Sequence, residues 1–191
     1  MAKFFGNLHL VLVVGLVLAI VVIMAFQDYS TAGLANDVLR WLHLFFGITW
    51  IGLLYYFNFV QIPTMPKIPD ELKPAVGKHI APNALFFFRW AALFTVLTGA
   101  SIAAHNGYID EALTFSGEGN VNLIGIGMWL ALIMAANVWF VIWPNQKKAL
   151  GLVETTPEAK AKAGPTAMMA SRLNTLLSIP MLYTMVNANL A

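Results

Sequence analysis

In a chain of 191 residues with no cysteine, the four histidines are the strongest nitrogen ligands on offer. Absence of sulfur thiolates excludes disulfides, thiolate metal sites, iron–sulfur clusters and covalent c-type haem, so metal chemistry falls to imidazole. His43 is the best placed of the four. Gly47, Trp50, Leu54 and Phe57 follow it at spacings of 4, 3, 4 and 3, which puts all five on one helix face. A glycine one turn from a histidine leaves room for a flat macrocycle, and flanking aromatics would line its pocket. His105 closes a later apolar run on the same side, so His43 and His105 could hold the iron of a b-type haem from both faces. The competing reading makes His43 a buried histidine hydrogen-bonded to a neighbouring helix, with Gly47 serving close packing. His105 precedes the turn signal Asn106-Gly107 and also reads as a solvated loop residue, while His9 and His79 read as interfacial.

A second group of polar residues lies at the opposite side. Arg89, Arg172, Asn174 and Asn137, with Asn58 and Gln61 at similar depth, could form a receptor for an anion or oxo group, because guanidinium forks and amide donors suit planar acceptors. Equally, the arginines could snorkel to lipid phosphates and the amides could join helices. There is no histidine pair at i, i+4, no HExxH, no phosphate-cradling glycine loop and no spacing that suggests a Ser–His–Asp arrangement.

The elements that must position these residues follow from composition. Hydrophobic residues make up 59% of the chain and charged ones 10%, with a mean hydropathy of +0.72. A soluble domain carries about 25% charged residues, so a soluble enzyme, a nucleic-acid binder and a disordered chain are excluded. A helix needs about 20 apolar residues to cross a bilayer. Five runs qualify, at about 8–26, 38–60, 83–104, 121–143 and 167–186. The expected fold is all-α: one integral membrane domain over 1–191, a polytopic bundle of five transmembrane helices. The first run exceeds the 7–15 residues of a cleavable signal core and reads as a retained anchor.

Basic flanks stay on the cytoplasmic side. Lys3, then Lys67, Lys73 and Lys78, then Lys147, Lys148, Lys160 and Lys162 mark one side, whereas Asp28, Asp37, Asp110, Glu111 and Glu118 mark the other. The amino terminus is therefore expected inside and the carboxyl terminus outside. The proline-rich second connection reads as extended and stiff, the run Pro157–Ala163 as a short surface helix, and Pro180 as a kink in the last span.

Four passages resemble the membrane domain of the PuuD-type urate hydroxylase (urate oxidase amino-terminal) family: RWLHLFFGITWIGLLYYFNF, FFFRWAALFTVLTG, VIWPNQKKALG and SRLNTLLSIPMLYTMV. They span about residues 40–187. The first is also similar to HemJ and CopD-like membrane proteins, some of which bind b-type haem. Long family members add further helices and a cytochrome c domain, whose CxxCH is not among these residues. Where those relatives carry histidines entering the third span and in the fifth-span motif, this chain has Asn83 and Leu173. Of that histidine set, His43 alone transfers.

The expectation is thus a redox-associated protein of the inner (plasma) membrane that binds b-type haem and passes electrons to a partner subunit. Its haem pocket would use His43, His105, Gly47 and Trp50, and its anion site Arg89, Arg172, Asn174 and Asn137. Its partners are the lipid bilayer and other membrane subunits or further copies of itself, with no nucleic acid. The alternative is a non-catalytic structural or accessory subunit of a larger membrane complex, supported by the small-residue pairs Gly15 with Ala19 and Gly125 with Gly127. A transporter fits poorly, because no inverted repeat is visible.

Overall fold

The computed structural model describes residues 2–26 and 31–188. Among these residues all regular elements are helical, as apolar runs must be where the backbone has only itself to bond. After a single helical turn at Ala2–Phe5, they are in chain order α1 (Leu8–Phe26), α2 (Gly33–Lys67), α3 (Lys73–His105), the short α4 (Ile109–Thr114), α5 (Asn120–Ala149) and α6 (Pro157–Asn187). Four of them, α1, α2, α3 and α5, are long and apolar enough to cross a membrane. The protein is a membrane helical bundle.

Although α6 is as long, its buried positions include Ser171, Asn174, Ser178 and Thr184, which dilute its hydropathy. Apart from Arg172, its outward positions in this stretch are apolar: Leu173, Leu176, Ile179, Tyr183 and Val186 are all exposed. Polar side chains facing in and apolar ones facing out is the arrangement lipid favours, since buried amides and hydroxyls find partners on neighbouring helices.

Two compact units divide the chain at Val38 and Leu39. In the first, α1 buries none of its residues. The second holds the core, with Trp50, Leu54, Phe88, Met134 and Val138 fully enclosed. Asp28, one of the acids that suggested the orientation, lies outside the described residues.

Proline placement explains the least regular part of the helices. Three π-helical segments, Tyr56–Gln61, Val76–Ile80 and Val138–Ile142, interrupt α2, α3 and α5. Each ends two residues before a proline, namely Pro63, Pro82 and Pro144. Proline cannot donate to the carbonyl four residues back and its ring crowds that carbonyl, so the preceding turn widens. The connection expected to be extended is instead helical up to Lys67 and again from Lys73, with bends and turns only at 68–72. Pro63, Pro66 and Pro74 each stand at the start of a helical segment, and Pro69 lies in the break.

Likewise Pro157–Ala163 is not a separate surface helix but the start of α6. Thr156 caps it, its hydroxyl accepting from the Ala159 amide at 3.2 Å, and the helix continues through Pro165 and Pro180. Two glycines set the packing around α5. A Cβ on Gly125 would fall on the Ala112 carbonyl of α4, and one on Gly127 would lie 2.5 Å from the Thr184 hydroxyl of α6. Both positions are therefore consumed by contacts within the chain.

Candidate functional site

His43, Gly47 and Trp50 stand together in the wall of one cavity of about 820 Å³, lined otherwise mostly by apolar side chains from α2, α3, α4, α5 and α6. Such a volume lies within the range of small-molecule and cofactor sites. The His43 imidazole is held from α3. Its Nδ1 lies 2.9 Å from the Thr95 carbonyl and 3.2 Å from the Thr98 hydroxyl. A carbonyl only accepts, so Nδ1 carries the proton and donates. Thr98 spends its own hydrogen on the Phe94 carbonyl, 2.6 Å away, and so can accept from His43. The consequence is chemical: Nε2 keeps its lone pair and is competent as a ligand or proton acceptor. A histidine whose second nitrogen donates to a backbone carbonyl is also the usual arrangement of a metal-ligating imidazole.

Glycines shape the space on both sides of this ring. A Cβ on Gly99 would lie 2.8 Å from His43 Cε1, so the imidazole rests on bare backbone of α3. At Gly47 a Cβ would meet only Thr95 Cγ2, at 3.9 Å, which leaves open room one turn from the histidine. Trp50 is fully buried and its Nε1 has no hydrogen-bond partner. A buried donor of this kind carries an appreciable desolvation penalty. Tyr108, in the same wall, has its phenol pushed above its ordinary range by burial, with nearby Arg40 acting weakly the other way. It stays protonated near neutral pH.

The other expected residues are dispersed. His105 ends α3, exposed and outside the cavity wall. Asn137 and Asn174 do meet: Asn137 Nδ2 donates to Asn174 Oδ1 at 2.7 Å and to the Ala170 carbonyl at 2.9 Å, and Asn174 Nδ2 donates to the Met134 carbonyl at 3.0 Å. The pair extends along α6. Asn58 donates to Ser171 at 2.8 Å, and the Tyr55 hydroxyl donates to Ser178 at 3.0 Å, since Ser178 gives its hydrogen to the Thr175 carbonyl. Arg172 is exposed on the far side of α6, and Arg89 stacks its guanidinium 3.9 Å over the Trp143 ring. The amides thus join α2, α5 and α6, and the arginines stand apart from them.

Replacing Asn174 by Ala should remove both of its bonds, leaving Asn137 with the Ala170 carbonyl alone and Met134 with its backbone partner Val138. Individual hydrogen bonds between membrane helices average about 0.6 kcal/mol, so the loss of this pair is expected to cost about 1–2 kcal/mol. A thermal-unfolding midpoint of the detergent-solubilised variant equal to wild type would show that the network adds nothing.

Reading the sequence alone missed Thr95, Thr98, Gly99 and Tyr108. The first three had a signal: a polar pair and a glycine at i, i+3, i+4 in an otherwise apolar run, on the face that α2 must meet.

Comparison with known families adds one finding. The family model described as urate oxidase N-terminal matches residues 108–191, which holds Tyr108, α4, α5 and α6 but neither α2 nor α3, the carriers of the His43 assembly. No curated protein and no solved structure matches the chain. Over residues 108–191 the chain is similar to the urate oxidase N-terminal family.

Proposed function

We propose that the protein is a redox-associated integral protein of the inner membrane, in which His43 holds a b-type haem and a partner subunit receives the electrons. The observation that carries this reading is His43 itself, whose Nδ1 is engaged by the Thr95 carbonyl so that Nε2 is the ring nitrogen left for a ligand, in the wall of a largely apolar cavity of cofactor size. The residues present fit the group. One imidazole supplies an iron ligand, and Gly47 leaves room for a flat ring one turn away. Bound there, haem would supply one-electron chemistry at a potential set by its axial ligands and by the dryness of the pocket.

The chain's own residues do the positioning. Thr95 and Thr98 fix the imidazole proton and orientation, and Gly99 gives the ring its seat. The apolar wall excludes water, and Tyr108 contributes a protonated hydroxyl. His105 has no part in this arrangement, whereas Met181 and Met185 place thioethers in the same wall. The reading has α6 as a fifth span, with its polar face turned inward, and takes the basic loops as cytoplasmic, so that the cavity lies toward the outer face.

Extraction in mild detergent followed by a reduced-minus-oxidised spectrum tests it. Soret and α/β bands are expected. A featureless spectrum from protein of native helix content removes haem from the account of this cavity and favours the accessory-subunit reading, for which the unburied α1 with Gly15 and Ala19 is the remaining contact surface.

A further inference from the structure

We infer that Arg89, Trp143 and Lys147 form a binding site for the phosphate of an anionic phospholipid. The Arg89 guanidinium lies 3.9 Å over the Trp143 ring and 5.4 Å from that of Phe86, and the Lys147 ammonium lies 5.6 Å from the same indole. Two cations from different helices, α3 and α5, therefore share one aromatic ring. Among the described residues neither has an acidic partner, since the ion pair found there is Lys73 with Asp70 at 2.5 Å. The ring engages the cations through its face. That leaves the in-plane N–H groups of Arg89 and the three donors of Lys147 without a protein acceptor among those residues.

With 3.9 Å and 5.6 Å to the shared ring, the two like charges lie within about 10 Å of each other, and an anion that meets both relieves a repulsion that grows as water is excluded. Phosphate suits the pair: a guanidinium fork takes two oxygens and an ammonium takes a third as a point charge. A phospholipid, not a free anion, is indicated by what borders the cations. Phe86 and Phe140 are 47% and 79% exposed on the same two helices, within a turn of Arg89 and Trp143 respectively. An acyl chain would cover these rings while the headgroup met the charges, and tryptophan is at home at that boundary. This inference rests on the membrane bundle alone and stands apart from the haem reading.

The test measures quenching of tryptophan fluorescence in the full chain by lipids with brominated acyl chains. Brominated phosphatidylglycerol is expected to quench at an effective concentration lower than brominated phosphatidylcholine by on the order of tenfold, from two cations near a headgroup. In Arg89→Gln/Lys147→Gln, with helix content checked by circular dichroism, that preference should collapse to less than about twofold, whereas Lys162→Gln keeps it. Should the double variant fail to fold, Arg89→Lys, which keeps the charge but loses the fork, should lose part of the preference. Equal quenching by both lipids in the wild type overturns the proposal, as does a preference that survives in the folded double variant or is untouched in Arg89→Lys. Displacement of the anionic lipid by millimolar inorganic phosphate would assign the site to a free anion and overturn the lipid assignment.

Discussion

His43→Ala is expected to abolish haem retention while leaving the bundle folded. In the proposed reading the imidazole is the iron ligand, and even second-sphere changes around a metal ligand cost about 10–100-fold in affinity, so loss of the ligand itself should exceed about 100-fold. The Soret band of the purified variant should be absent, not shifted. Folding should be spared for a specific reason. His43 donates to the Thr95 carbonyl, which lies inside the α-helical part of α3 and keeps its helical partner, and Thr98 keeps its bond to Phe94. Neither threonine is orphaned by the truncation, so the stability cost should stay within about 1–2 kcal/mol. An unaltered spectrum in the folded variant would move the ligand elsewhere. The Thr95 carbonyl cannot be mutated away, but Thr98→Val removes the acceptor and should shift the haem potential while the band remains.

Gly125→Val should be the most damaging single change to the fold. Even one carbon at this position would overlap the Ala112 carbonyl, which is backbone and cannot rotate aside. Either α4 or α5 must move. Overpacking a well-filled interface costs about 1–3 kcal/mol, and a branched side chain against backbone belongs at or above the upper end. Displacement would also reach the cavity, because Ile109 and Leu113 of α4 belong to its wall. The expected outcome is a thermal midpoint several degrees below wild type together with weakened cofactor retention. Gly15→Ala supplies the contrast. Nothing lies within 4 Å of a Cβ there, and alanine is the better helix former by about 1 kcal/mol, so that variant should be neutral or slightly stabilised. A normal midpoint in Gly125→Val would mean that α4 is not packed on α5 as described.

Much of the cavity's geometry was legible because helix periodicity alone puts His43, Gly47 and Trp50 on one face, and the three do share a cavity wall. The partner helix was harder to read. Thr95, Thr98 and Gly99 carry no chemistry of their own, and their role appears only when α3 lies against α2. The proposed anion receptor illustrates a different limit. Arg172 and Asn174 are two residues apart, and at about 100° per residue such positions face away from each other on a helix. Burial of the Asn174 amide therefore turns Arg172 outward, a conclusion available from spacing. That Arg89 would stack on Trp143 was not available, because it depends on where α5 ends relative to α3. The π segments had a sequence signature in the downstream prolines, but a proline two residues past a widened turn also fits an ordinary helix start, so spacing could not choose between them.

The most direct test of the haem reading is stoichiometry. Wild-type protein extracted under native conditions, with haem quantified as the pyridine haemochromogen and protein by amino-acid analysis, should carry b-type haem at close to one per chain. A folded, monodisperse preparation that holds no stoichiometric haem, and gains none when haemin is supplied during expression, would contradict the assignment of His43 as an iron ligand.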